Sequence, residues 1–147
     1  MMPLSGTAAT HVVAWATALV FAALALLHLY WAVRGIRAGS SALPEHDGRS
    51  VFVPGRLAAL VVSVLLALAA LIVLQRASLG PALVPAALLP GAIWTLAVVM
   101  IARAIGDFRY VGFFKRVRGT TFATLDTKFF SPIALVLGAG ACWVALS

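Results

Sequence analysis

Four apolar runs, at about 11–33, 57–74, 82–102 and 131–146, constrain this chain more than any other feature. About 20 apolar residues in a helix cross a bilayer core, and the first run alone would span some 34 Å at about 1.5 Å per residue. The chain has 147 residues, of which 63% are hydrophobic and 10% charged. An ordinary soluble domain carries roughly 45–50% and about 25%. A soluble fold this small lacks the polar residues to cover so much apolar surface. In lipid the apolar side chains can face outward. The sequence therefore predicts one all-α domain over 1–147, an integral membrane four-helix bundle with helices at about 11–33, 57–74, 82–105 and 131–146.

The polar segments divide unevenly. Arg34, Arg37, Arg49 and Arg56 lie in the first gap, and Arg103, Arg109, Lys115, Arg116, Arg118 and Lys128 lie in the third. Only Arg76 lies elsewhere. The positive-inside rule places loops 34–56 and 103–130 in the cytoplasm and both termini outside the cell membrane. No Lys or Arg precedes the first run, which is read as a retained helix and not as a signal peptide. The net charge of +7 suits nucleic acid in principle, but these cations flank the apolar runs. Anionic lipid headgroups are the expected partner, at about 1 kcal/mol per basic residue near the surface. Nucleic acid is not expected; a second copy or another membrane protein is.

Local signals add detail. Asp47-Gly48 is turn chemistry, and Val53-Pro54-Gly55 suits a type II turn. Pro85 falls near the start of the third helix, and Pro90 should kink it. The segment 103–129 mixes Phe108, Phe113 and Phe114 with six basic residues, so a surface helix is an option there. Ser131-Pro132 reads as N-cap and first residue of the fourth helix. Small residues recur four apart at Ala14/Ala18/Ala22, Ala59/Ser63/Ala67, Ala87/Gly91/Thr95 and Ala134/Gly138/Cys142, a spacing that lets helices approach closely.

Few residues could carry chemistry. His28 is ionisable within an apolar run and shares a helix face with Trp31. Arg103 and Asp107 are four apart and would pair if the third helix continued, with Arg109 nearby. Together these five form the candidate functional cluster, while Lys115, Arg116 and Arg118 are expected at lipid headgroups. Glu45-His46-Asp47 resembles a metal cluster on paper, but three consecutive residues rarely converge on one ion. Lone Cys142 excludes an intrachain disulfide. There is no HExxH, P-loop or GxSxG motif, so no catalytic residue, cofactor or metal is expected.

The segment RAIGDFRYVGFFKRVRGTTFATLDTKFFSP, from Arg103, resembles the C-terminal signature of a family of small bacterial membrane proteins catalogued as domain of unknown function 3995. His28 and Trp31 match that family's His-x-x-Trp, and Val53-Pro54-Gly55 its turn before the second helix. The chain departs from the pattern at Arg34-Gly35, where the family has Gly-Gly. The resemblance implies the same four-helix architecture and no particular activity. The leading expectation is a non-enzymatic accessory or lipid-interacting protein of the bacterial inner membrane. A small oligomeric transporter or pore, or an enzyme acting on a lipid or quinone at the cytoplasmic face, are the alternatives.

Overall fold

The computed structural model describes residues 4–37 and 40–147. Helix α1 covers Leu4–Arg34, α2 Arg56–Arg76 and α3 Leu89–Ile105. Helix α4 covers Thr121–Leu146 and is built from an α-helical turn, a π turn at Asp126–Phe130 and the α-helix Ser131–Leu146. Helices α1, α2 and α4 are long and apolar enough to cross a membrane, and α3 is a shorter apolar helix. The chain is a membrane protein with an all-α four-helix architecture. Helix α1 packs chiefly on α2 and α3 chiefly on α4, and the α1–α4 contact joins the two pairs.

Phe21, Val73, Ile93, Leu137 and Val144 are fully buried at the centre. Lipid offers no hydrophobic drive for helices to associate, so the close fit itself must hold them. Three of the four small-residue stripes serve that fit. Ala14 and Ala18, Ala59 and Ser63, and Ala134 and Gly138 are buried. A Cβ on Gly138 would sit 2.7 Å from the Ile101 side chain, and one on Gly140 would overlap the Thr17 hydroxyl. The α3 stripe faces outward instead: Gly91 and Thr95 are exposed, while Ile93, Ala97 and Ala104 face the core.

Several boundaries differ from expectation, each for a local reason. Helix α1 begins at Leu4, well before 11. Helix α3 begins at Leu89, because Pro85 sits in a separate turn accepting from Leu88 and Leu89. Pro90 therefore falls in the first turn, where its missing N–H costs nothing, and it does not kink the helix. Backbone of the 82–88 segment is satisfied by Gln75, whose amide accepts from Leu83 and Val84 N–H and donates to the Val84 carbonyl. Gly55 caps α2 with φ −68°, so no type II turn forms at Pro54-Gly55.

Helix α4 starts ten residues before Ser131. Thr120 is its N-cap, accepting from Ala123 N–H at 3.0 Å. Ser131 and Pro132 lie inside the helix. The Ser131 N–H reaches back five residues to the Asp126 carbonyl, and this widened turn immediately precedes Pro132, which has no N–H to offer. In the first loop Glu45–His46 pairs with Arg49–Ser50 through Asp47 and Gly48, both at positive φ. The 106–120 segment forms turns and not a surface helix.

Candidate functional site

Helix α3 ends at Gly106, with φ +96°. The chain then doubles back, and Phe113 and Phe114 N–H groups bond the Ala104 and Ile105 carbonyls that the helix leaves open. Gly106 and Gly112 cross so closely that a Cβ on either would overlap the other strand of the loop. Asp107 closes the turn by accepting from Arg109, Tyr110 and Val111 N–H at 2.7–2.9 Å. Partial desolvation pushes its carboxyl up, but these donors outweigh that and hold its pKa below the ordinary carboxylate value.

The expected Arg103–Asp107 pair does not form, because the helix stops between them. Arg103 bonds Asp126 instead, Nη2 to Oδ1 at 2.9 Å. Asp126 is fully buried and accepts three further bonds on Oδ2: from Gly112 N–H at 2.8 Å, Lys115 Nζ at 3.0 Å and Ser131 Oγ at 3.1 Å. Lys115, expected at the headgroups, is only 3% exposed. Its ammonium also donates to the Gly112 carbonyl and Thr127 Oγ1. All three of its donors are thus spent internally. Arg116 and Arg118 do lie at the surface, as does Arg109, which stacks over Tyr110 at 5.1 Å. Phe108 and Phe114 project beside them, 57% and 63% exposed, with ring centroids 6.5 Å apart.

The cluster has two cations, buried Lys115 and half-buried Arg103, and one buried carboxylate. Arg103 Nη1 is buried without a hydrogen-bond partner. Arg103 also lines a cavity of about 300 Å³ in which all four helices take part, at the seam between the two pairs. His28 and Trp31 line the same cavity from α1, and Phe122 and Phe130 from α4. His28 Nδ1 lies 2.8 Å from the Leu24 carbonyl, and its ring meets Trp31 edge-on at 4.9 Å. A carbonyl can only accept, so the ring proton sits on Nδ1 and Nε2 remains unspent. The cavity thus joins His28, Trp31 and Arg103. Asp107 and Arg109 do not line it. A larger groove of about 450 Å³ between α1 and α2 has one polar lining residue, Ser63, whose hydroxyl is spent on the Ala25 carbonyl.

Sequence reasoning missed Asp126 and Ser131. One signal was available: the chain has only four acids, and Asp126 and Asp107 alone among them stand within five residues of an apolar run. No curated protein and no solved structure matches the chain. The family model described as Protein of unknown function (DUF3995) matches residues 21–141. With that match covering most of its length, the chain belongs to the DUF3995 family.

Proposed function

We propose that this chain is a non-enzymatic, lipid-interacting protein of the bacterial inner membrane. Its termini lie outside, and loops 34–56 and 103–130 lie in the cytoplasm. One observation carries the reading: a tightly bonded loop presents Phe108 and Phe114 to the surroundings, flanked by Arg109, Arg116 and Arg118. Aromatic rings favour the headgroup level, and guanidinium groups favour lipid phosphates. The loop is held by Asp107, by the Gly106–Gly112 crossing and by the buried Lys115–Asp126 bond, so little ordering remains to be done on binding. An oligomeric pore has less support, since Pro90 begins α3 and does not break it.

The test replaces Arg109, Arg116 and Arg118 together by Ala and measures anionic against zwitterionic lipid retention by native mass spectrometry. At about 1 kcal/mol per residue, the preference for anionic lipid should fall on the order of a hundredfold at low salt. Unchanged adducts would sink the reading. Reporter fusions at both termini check the orientation, and cytoplasmic termini would reverse it.

A further inference from the structure

The seam cavity has the makings of a second site, independent of the loop surface. It is apolar except at Arg103, His28 and the Trp31 indole N–H, and among the described residues no acid lines it. Arg103 brings its guanidinium to the wall, and among the described residues its Nη1 has no hydrogen-bond partner. His28 offers Nε2, because Nδ1 is engaged by Leu24. The Arg103–Lys115–Asp126 cluster has a formal charge of +1, and the surplus cation on the half-buried Arg103 favours an anion beside it. At the rim, Leu27 and Val62 are 41% and 38% exposed, so the cavity wall reaches the outer surface at these two side chains.

We propose that this cavity binds the head of a single-chain carboxylic amphiphile, a fatty acid in chemical class. One carboxyl oxygen accepts from the Arg103 guanidinium. The proton that the acid gives up passes to His28 Nε2, which then donates to the other oxygen, and the chain leaves into lipid past Leu27 and Val62. The chemistry selects this class over its neighbours. A phosphate monoester brings more oxygens and more charge than one guanidinium N–H and one imidazole can match. A neutral quinone leaves the surplus charge uncompensated. A diacyl lipid would have to route two chains through a cavity of about 300 Å³.

The test measures binding of cis-parinaric acid to the full chain in detergent, by energy transfer from its tryptophans, with palmitic acid and its methyl ester as competitors. Wild-type protein should bind one equivalent, and the ester should compete about tenfold or more weakly, the worth of a charge-assisted hydrogen bond. His28→Phe keeps a ring against Trp31 without the nitrogen, and Leu66→Trp fills the cavity. Each should weaken binding about tenfold or more while the protein still melts cooperatively. The triple Arg109/Arg116/Arg118→Ala variant should bind as wild type, which separates this site from the loop surface. The inference is overturned if the ester matches the acid, if both folded cavity variants keep wild-type affinity, if a short-chain benzoquinone displaces the probe better than palmitic acid, or if the probe does not bind. The ester comparison uses wild-type protein, so it stands even if a variant fails to fold.

Discussion

The two ends of the bundle handle polar side chains in opposite ways. At the end bearing the termini, Gln75 spends its amide on Leu83 and Val84 backbone, and Arg76 donates to the Ala145 carbonyl at 3.0 Å. These bonds close backbone that would otherwise stand open beside lipid. At the loop end, Arg103 and Lys115 both bond Asp126, while Gly112, Thr127 and Ser131 complete the network, and the set has one cation too many. The first arrangement completes a helix connection. The second leaves an unused donor and a surplus charge next to a cavity, which is what recognition of an anion requires. Polar residues near a membrane thus divide by whether their hydrogen-bonding capacity is exhausted, and not by how charged they are.

The sharpest way to break that contrast is Asp126→Asn. An amide keeps the shape but cannot compensate the buried Lys115 and the half-buried Arg103, and removing the buried partner of such a set costs about 3–5 kcal/mol. Thermal unfolding in detergent should show a large fall in midpoint. Replacing all three charges, with Asp126→Leu, Arg103→Met and Lys115→Met, should recover part of that loss, because no charge is left buried and unpaired. A triple variant no more stable than Asp126→Asn would mean that the loop's hydrogen bonds, and not its charge balance, hold this end together.

At the other end Gln75→Leu should cost less, about 1–3 kcal/mol, since two N–H groups and a carbonyl lose one partner near the outer edge. Hydrogen exchange should rise at 79–88 and stay unchanged at 103–117. Loss of protection at both ends would show that the two are coupled, and the distinction between them would not stand.

How much of this was legible in sequence follows the same division. The four helices show plainly, because long apolar runs with basic flanks have few other solutions. His28, Arg103 and Asp107 could be grouped by depth, but only His28 and Arg103 line one cavity and Asp107 does not. The partner of Arg103 could not be found by local spacing. The i, i+4 rule presupposes a continuous helix, whereas Gly106 ends this one and the chain returns an acid from 23 residues away. Ser131-Pro132 misled for a similar reason: Pro looks like a helix start unless a π turn precedes it. Lys115 reads as one more headgroup cation among arginines, and only the crossing at Gly112 turns it inward.

Asp107 supplies the smallest effect and a control for the largest. It lies in the same loop end as Asp126, is also an acid, and also accepts backbone N–H groups, but it is exposed. Desolvation is the largest single influence and raises its pKa, but the Val111, Arg109 and Tyr110 donors together outweigh it, so the folded value lies below the unfolded one. A depressed folded pKa contributes stability above the unfolded value, and that contribution fades as pH falls through the folded value. Wild type and Asp107→Asn, whose carbonyl can accept the same bonds, should therefore differ by a constant amount from neutral pH down to about pH 5 and converge below about pH 4. The difference should be about 1 kcal/mol or less, because solvent screens an exposed carboxylate. Melting midpoints across that range measure it. A gap that persisted at low pH would assign the effect to side-chain geometry and not to charge. A gap as large as that of Asp126→Asn would show that burial is not what separates the two acids.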